Sequence, residues 1–494
     1  MNESANLKPF ANESSMMSQR MLTASCVAVA LLGVLVFKLI NDTDVFWQIR
    51  LGQITLEEGR IPYFDRFTYT HAGAPAPPIG WLAQTLFASL YGLGGWRLTR
   101  AVHQFALVGS LLVAAATCRR DLTSSLSVAV AMAIAFLVIL SNGDLRPQSF
   151  GLLCFAILLA LARGPRPLRV KLVVAAPLLV VWQNMHPSVV IGVAALSALA
   201  AADFAGRKNG QSDLCSSVVL ALLALALQFA TPLGYQILEI SQDNLRISRD
   251  VLRVPEWLHP WDPAIAFEVI FLYWIAFLGS LFAILWFWNR LSMRDRMLFF
   301  VMTGLSLFAA RFVIFWAVAS IPLWAELVER LIPQGMFEWA RGRQDRAVWG
   351  DRSWMLPAFA LAIVVGLHTA EFRPIFRSEI SREGVRALRI ALPGAARVFN
   401  HYRWAGPLIL DGSPAWQVAV DGRLYLFKNT AEWRFIEDAD TGRISLDEVE
   451  RIHHPDAFFL YPAESEVLIR SLEQCPRWRT CFRGPTCVAF VRAR

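Results

Sequence analysis

The stretch that decides the fold is LTASCVAVALLGVLVFKLI at positions 22–40, followed directly by NDTDVFWQ at 41–48. The first part is an apolar run of the length that a membrane-spanning helix needs. The second part places two carboxylates, Asp42 and Asp44, immediately behind that run. Ionisable residues at a membrane boundary are a functional-site hypothesis by default. The plainer alternative is that this acidic pair only ends a helix in water.

Composition shows that the first apolar run is one of many. The chain has 494 residues, of which 55% are hydrophobic and 17% are charged, and its mean hydropathy is +0.43. Such a composition excludes a water-soluble fold with an ordinary polar surface. Because backbone polar groups need internal partners in hydrocarbon, the apolar runs are predicted to be helices, about eleven in all. The predicted spans are 22–40, 97–117, 124–141, 149–162, 171–184, 187–204, 214–231, 264–288, 296–310, 311–331 and 354–370.

The distribution of Lys and Arg predicts the orientation of these spans. With a cytoplasmic N-terminus (1–21), the inner segments hold about eighteen Lys and Arg and the outer loops about eight, as the positive-inside rule requires. The transmembrane domain is then 22–370, with a large first outer loop at 41–96. Within that loop, 80–93 is predicted to lie along the membrane interface. The net charge of +8 follows from this bias, so no nucleic acid partner is implied.

An odd number of spans sends the tail, residues 371–494, to the outer side. Its mixed pattern predicts a soluble α/β domain, with strand-like pieces at 417–420 and 487–491 and a helix-like piece at 465–472. An oxidising compartment would permit one disulfide among its three cysteines, with the pair left open. Its tryptophans could stack on sugar rings, but core packing is the favoured interpretation. The residues concerned are Cys475, Cys481 and Cys487, and Trp404, Trp416, Trp433 and Trp478.

Two further features of the chain have plain interpretations. The segment 332–352, rich in Arg and Trp, is predicted to lie on the inner membrane surface. The cysteines at positions 26, 118, 154 and 215 are predicted to pack as small buried residues.

Polar residues gather at the predicted outer ends of the spans, whereas the inner ends carry mostly Lys and Arg. This asymmetry predicts a polar cavity that opens outward. Taken singly, some members have plainer interpretations: 184–187 as a tight turn and Arg146 as a snorkelling side chain. The residues at the outer ends are Asp42, Asp44, Asp144, Arg146, Gln148, Asn184, His186, Gln242, Asp243, Arg246 and Arg311.

Arg311 differs from the others because it lies in the continuous apolar stretch 305–324. A guanidinium in such a place can hold a phosphate through two parallel hydrogen bonds. Nucleotide-binding loops, dinucleotide fingerprints, zinc-protease motifs and nucleophile elbows are absent from the sequence. His453 and His454 are adjacent and point apart on a helix or strand, so a surface pair is favoured over a metal site.

The order of several short blocks resembles a family of membrane enzymes. The chain is similar over nearly its whole length to bacterial multi-spanning proteins of the C-type glycosyltransferase (GT-C) superfamily. The blocks that carry the resemblance are Asp42 to Gln48, 51–53, 59–62, 65–68, 81–83, 146–148, 182–186, 231–235, 256–257, 310–312, 398–402 and 421–423.

The resemblance implies an all-α polytopic fold and transfer of a sugar from a polyprenyl-phosphate carrier to an envelope glycan or lipid acceptor. The reaction would take place at the outer face of the bacterial inner membrane. Asp44, with Asp42 beside it, would be the general base. Arg311 and Arg146 would hold the lipid phosphate. The residues expected to contact or orient substrate are Gln148, Asn184, His186, Gln48 and Trp47.

The chain departs from the family pattern at three places. Gln48 stands where the pattern has His, Ile79-Gly80 stand where it has His-Glu, and Pro187 replaces a Gly. The loss of the second acidic residue favours an alternative, a non-catalytic component of a polysaccharide synthesis or export complex with protein partners in the envelope. A lipid or glycan transporter is the third hypothesis. No cofactor is certain, and a divalent cation held near the acidic pair remains open.

Overall fold

The chain folds into a bundle of apolar helices followed by a small sheet domain. The computed structural model describes residues 8–119, 121–141, 143–207, 213–332, 355–370, 374–377, 380, 382–427 and 431–493, without the side chains of 8–19 and 356. The helices that precede the tail are α1 (Lys8–Leu35), α2 (Asp44–Glu58), α3 (Trp81–Ala116), α4 (Ser125–Leu140), α5 (Gln148–Arg163), α6 (Leu168–Met185), α7 (Val189–Gly206), α8 (Leu214–Leu227), α9 (Gln236–Arg246), α10 (Phe267–Trp286), α11 (Met293–Phe308), α12 (Val313–Leu331) and α13 (Met355–Thr369).

Five of the described helical segments are long and apolar enough to cross a membrane, namely Trp81–Ala116, Leu168–Met185, Val189–Gly206, Phe267–Trp286 and Ala310–Leu331. Five further apolar helices are shorter, between 10 and 17 residues. The predicted spans therefore coincide with helices, but eleven full spans are not confirmed. Apart from its first residue, the predicted inner-surface segment 332–352 lies outside the described residues.

The first apolar run does not stay helical to its end. Helix α1 ends at Leu35, five residues before the predicted limit. Ile40 instead pairs with Phe376 like a strand, and its N–H donates to the Ile375 carbonyl at 2.8 Å. This pairing joins the entrance of the first loop to the segment that leads into the tail.

The first loop, 41–96, contains a helix that the sequence interpretation missed. Helix α2 packs along the start of α3, and Gly52 permits this close approach because a Cβ there would lie 2.0 Å from the Gln84 carbonyl oxygen. The predicted interfacial segment 80–93 and the span after it form one helix, α3. Non-helical backbone angles at Gly94 and Gly95 divide it near the predicted boundary.

The tail contains one five-stranded sheet flanked by short helices. The strand order is β2-β1-β3-β5-β4, with β1 parallel to both β2 and β3, and β5 antiparallel to β3 and β4. The predicted strand-like and helix-like pieces coincide with β2, β5 and α18. The elements are α14 (Arg382–Ala391), β1 (Ala396–Asn400), α15 (Ala405–Asp411), β2 (Trp416–Val418), α16 (Ala431–Asp440), α17 (Leu446–His453), β3 (Ala457–Leu460), α18 (Glu466–Gln474), β4 (Trp478–Arg483) and β5 (Val488–Arg492).

Packing of the tail separates its aromatic residues into two groups. Trp404, Trp416 and Trp478 are buried in the core, as predicted, whereas Trp433 is half-buried at the surface of a cavity. The prediction of a surface histidine pair was wrong for His453, which is buried and lies 3.1 Å from the Tyr69 hydroxyl through its Nδ1. The seven cysteines, all among the described residues, form no disulfide.

Candidate active site

Two adjoining cavities lie where the first loop, the helix ends and the tail meet. One, of about 890 Å³, has a wall of mixed polarity that includes many charged side chains and tail residues, and we call it the polar cavity. The other, of about 390 Å³, has a mostly apolar wall formed by helix ends, the first loop and the tail residues Gly422 and Tyr425, and we call it the apolar cavity. Residues that line both cavities are Asp42, Asp44, Arg146, Asn244, Glu256, Trp257, Arg311 and Gly422.

Asp44 is held at the junction of the two cavities by its position as the first residue of α2. Its backbone N–H donates to Asp42 Oδ1 at 2.8 Å, and Trp47 Nε1 donates to Asp44 Oδ1 at 3.1 Å. Burial raises the pKa of Asp44 to about 7, and the negative charge of Asp42 adds to this effect, while Arg146 opposes it. The carboxyl group is therefore poised to take up a proton near neutral pH.

A chain of alternating charges runs beside Asp44. The Arg146 guanidinium contacts Asp42 through Nε and Glu256 through Nη1. Glu256 also faces Arg311, whose Nη1 lies 3.9 Å from its Oε1. Although burial acts to raise the pKa of Glu256, Arg146 and Arg311 hold it below its usual range. Arg146 thus acts on Asp44 directly, and Glu256 links Arg146 to the second guanidinium group, that of Arg311.

Arg311 enters the site at a break in the backbone. Ala309 is extended, so the short helical turn Ala310–Phe312 separates α11 from α12, and Arg311 does not lie in one continuous helix. The Arg311 guanidinium stacks on the Trp257 ring at 3.9 Å from its centroid. Gln148 Nε2 donates to the Arg311 carbonyl at 3.1 Å, which makes Gln148 a support for the break.

Two polar atoms in the wall of the apolar cavity have no hydrogen-bond partner, although both are buried. They are His186 Nδ1 and Gln48 Oε1, both on predicted substrate-contacting residues. Burial lowers the pKa of His186 to about 3, so the imidazole is neutral and carries one donor and one acceptor. Buried polar groups are normally satisfied, so these two atoms are suited to bind hydroxyl groups of a ligand.

Asn184 lies apart from the other predicted site residues. Its Oδ1 accepts from Trp81 Nε1 at 2.7 Å, and its Nδ2 donates to the Val180 and Ala230 carbonyls at 2.8 and 2.7 Å. Asn184 lines neither of the two cavities. Asn184 thus joins the ends of three segments of the chain, and this arrangement leaves no donor for a sugar.

The carboxylates around the site do not fit a divalent cation as they stand. Asp42 already accepts from the Asp44 N–H and contacts Arg146, and Glu256 faces two guanidinium groups. Among the described residues, no group of three or more His, Cys, Asp or Glu side chains could hold a metal ion. Hard cations prefer several oxygen ligands that are free of competing charge.

The tail contributes residues to the site that were not among the predicted site residues. Gly422 packs directly on Asp44, because a Cβ at Gly422 would lie 2.0 Å from Asp44 Oδ1. Tyr402 and Trp433 line the polar cavity beside it. Gly422 and Glu256 both lie in sequence blocks that carry the family resemblance, so the resemblance could have indicated them as site residues. Their roles depend on contacts between distant parts of the chain.

A buried charge cluster fixes Gly422 in place. Arg423 donates through Nε to both oxygens of Asp421, at 3.1 and 3.0 Å, and its Nη2 contacts Asp65 in the first loop. All three side chains are at most 1% exposed. Next to this cluster, the Val418 N–H donates to the Phe67 carbonyl at 2.8 Å. The first loop and the tail are therefore one packed unit around Asp44.

Comparison with known proteins identifies this architecture. No family model and no curated protein sequence matches the chain. The oligosaccharyltransferase AglB from Archaeoglobus fulgidus, in complex with an inhibitory peptide and a dolichol-phosphate, is similar over 95% of this chain and 73% of its own, with a TM-score of 0.62 and 11% identity. ArnT from Cupriavidus metallidurans, bound to undecaprenyl phosphate, is similar over 94% of this chain and 96% of its own, with a TM-score of 0.51 and 13% identity.

A second structure of the Archaeoglobus fulgidus oligosaccharyltransferase, in complex with Zn and sulfate, has a TM-score of 0.54 and 11% identity over 96% of this chain and 73% of its own. Similarities at these identities concern the fold. They agree with the resemblance inferred from the sequence blocks around Asp44 and Arg311. The chain therefore shares the fold of AglB and ArnT.

Proposed function

We propose that the protein is a membrane glycosyltransferase that moves a sugar from a polyprenyl-phosphate carrier to an acceptor hydroxyl. The observation that carries the proposal is that Asp44, whose pKa is raised to about 7, lines both the polar and the apolar cavity together with the guanidinium groups of Arg146 and Arg311. Such a reaction needs a base and a phosphate-binding group at one point.

The transfer step follows from these charges. An acceptor hydroxyl in the polar cavity gives its proton to Asp44 as its oxygen bonds to the anomeric carbon of the sugar. The bond between that carbon and the carrier phosphate breaks, and its electron pair leaves with the phosphate oxygen. Arg311 and Arg146 stabilise the negative charge that develops there. The products are the glycosylated acceptor, the polyprenyl phosphate and a proton on Asp44.

The apolar cavity is suited to the lipid-linked donor. Its wall is mostly apolar, yet it includes Arg311, His186 and Gln48. His186 and Gln48 would orient hydroxyls of the sugar. The solved structures of AglB and ArnT contain dolichol-phosphate and undecaprenyl phosphate, which supports a carrier of this class for the present chain.

The proposal includes the location of the protein and accounts for the acidic residue that is absent at Gly80. We place the protein in the bacterial inner membrane, with the site on the outer face and the acceptor in the envelope, as the Lys and Arg distribution predicts. The acidic residue of the family pattern is replaced by Gly80, but Glu256 provides another carboxylate in the cavity. The departure at Gly80 therefore no longer favours a non-catalytic component over an enzyme.

Sugar transfer in membranes tests the proposal. Membranes that contain the intact protein, supplied with a radiolabelled polyprenyl-phosphate sugar pool, should form a labelled product. Asp44→Asn and Arg311→Ala should each lower turnover by about 10²-fold or more, since each removes a group that acts in the transition state. Asp250→Asn and Arg246→Ala change exposed charges outside the site, and both variants should keep the turnover of the intact protein. Turnover that survives Asp44→Asn would overturn the assignment of the base.

A further inference from the structure

One wall of the polar cavity belongs to the tail and has no part in the transfer step above. Part of it is one face of α16, on which Trp433, Glu437 and Asp440 follow each other at spacings of four and three residues, and Arg403 and Arg434 also line the cavity. Residues at these spacings lie on the same side of a helix. Tyr402, in the turn before α15, completes this wall. We call Trp433, Glu437, Asp440 and Tyr402 the tail wall.

The tail wall presents aromatic faces to the cavity. The Tyr402 and Trp433 rings lie 4.8 Å apart between centroids and are inclined by 40°. Tyr402 is 43% exposed, and the buried Trp433 Nε1 has no hydrogen-bond partner. Trp433 is thus the one tryptophan of the described tail that lines a cavity instead of filling the core. Aromatic residues with a free polar end are suited to contact a ligand.

Asp440 adds a buried carboxyl group to the tail wall. Its side chain is 5% exposed, and the Ser465 hydroxyl is its hydrogen-bonding neighbour. A carboxyl group accepts more than one hydrogen bond, so Asp440 can also accept from the hydroxyl groups of a ligand. Burial also raises the pKa of Asp440 to about 6.

The tail wall lies next to the base. Tyr402, Glu464 and Asp44 line the same cavity, and Glu464 Oε2 lies 2.9 Å from His401 Nε2. A molecule that stacks on Tyr402 and Trp433 would therefore present its hydroxyl groups to Asp44. Aromatic faces combined with carboxylates match a sugar, whose C–H faces are apolar and whose edges carry hydroxyl donors.

We propose that the tail wall is an acceptor subsite for a saccharide, so that the acceptor of the transfer is a glycan. This inference rests on the proposed glycosyltransferase function. A peptide is the competing acceptor. It is less suited because the tail wall offers ring faces and carboxyl oxygens, and none of the described tail residues that line the cavity lies in a strand that could pair with an extended backbone.

Binding of defined ligands tests the subsite apart from catalysis. The purified full-length Asp44→Asn protein in detergent, which cannot turn over, is applied to an array of oligosaccharides and to an array of peptides. We expect it to bind a subset of the oligosaccharides. Adding Trp433→Ala or Asp440→Asn should weaken that binding about tenfold. Tyr63→Ala, which removes an exposed ring outside both cavities, should bind the oligosaccharides normally.

Kinetics in the protein with Asp44 intact separate the subsite from the chemistry. Trp433→Ala should raise KM for the glycan acceptor about tenfold and leave KM for the lipid-linked donor unchanged. Equal binding of oligosaccharides by the Trp433→Ala protein, or binding of peptides only, would overturn the saccharide subsite even if sugar transfer is measured. Trp433-dependent binding without any sugar transfer would instead refute the proposed function and leave a saccharide-binding site.

Discussion

At the scale of single residues, the raised pKa of Asp44 makes the reaction dependent on pH. Only the ionised carboxylate can accept the proton of the acceptor hydroxyl, so kcat/KM should rise with pH up to about 7 and then level off. The groups that face Asp44 are Asp42, Arg146, Trp47 and Asp421. Removing the repulsion of Asp42 through Asp42→Asn should move the midpoint of the profile to lower pH. Measured pH profiles that are flat between 5 and 9 would contradict this role of Asp44.

Gly422 is expected to control the position of the base. In Gly422→Ala the added Cβ would lie 2.0 Å from Asp44 Oδ1, so the carboxylate or the tail must move. A displacement of about 1 Å can cost about 10²-fold in rate, and we expect a loss of that order in turnover. Gly394→Ala is the matched control, because a Cβ there meets nothing within 4 Å. Equal turnover of the two variants would show that the contact does not position Asp44.

The bonding of Asp42 and Glu256 to guanidinium groups leads to a prediction about metal ions. Because Arg146 and Arg311 already pair with these two carboxylates, we expect transfer to be unchanged, within about twofold, after dialysis against EDTA. In Arg146→Ala the two carboxylates lose their shared cation, and added Mg²⁺ or Mn²⁺ should then restore part of the activity. Loss of activity of the intact protein in EDTA, recovered by a divalent ion, would contradict this expectation.

At the scale of elements, the buried Arg423 cluster holds the first loop against the tail. Arg423→Ala would leave Asp65 and Asp421 buried without their cation, which typically costs about 3 to 5 kcal/mol. We expect the first loop to detach and to become sensitive to protease. Adding Asp65→Asn and Asp421→Asn should restore part of the resistance, since neutral amides are less costly to bury.

Rates of proteolysis in detergent measure this opening, because cleavage follows the population of the open form. Arg443→Ala, which removes an exposed arginine of the tail, serves as the control and should be as resistant as the intact protein. Unchanged resistance of Arg423→Ala would show that the other contacts between loop and tail suffice. These include the hydrogen bond from Val418 to Phe67 and that from Thr70 Oγ1 to the Ala419 carbonyl at 2.6 Å.

At the scale of the whole molecule, the contact between loop and tail requires both to lie on the same side of the membrane. With the seven native cysteines replaced by alanine, single cysteines at Leu56 and Arg443 should react with a membrane-impermeant maleimide added from outside the inner membrane. A cysteine at Arg207 should react only after the membrane is opened. Labelling of the first two from opposite sides would contradict the fold, and labelling of both from the inside would reverse the orientation.

Several features of the whole molecule were predictable because they are local. Hydropathy located helices near all the predicted spans, and the alternating pattern at 417–420 and 487–491 marked strands of the tail. Helix α2 was missed because its apolar positions face α3 and the tail, within a loop of mixed composition. The predicted end of the first helix is too late. The apolar run continues beyond Leu35, but Ile40 pairs with a segment more than 300 positions further along the chain instead of extending the helix.

The sequence by itself determined that this chain is a polytopic membrane protein with an acidic pair after its first helix and an α/β tail, since hydropathy and periodicity act over a few turns of chain. Only the tertiary structure decided which polar residues meet. Arg146 contacts Asp42 across 104 positions and Glu256 across 110, while Asn184 is used in packing. Which helix ends converge depends on side-chain packing between distant segments, and this packing placed Gly422 of the tail against Asp44.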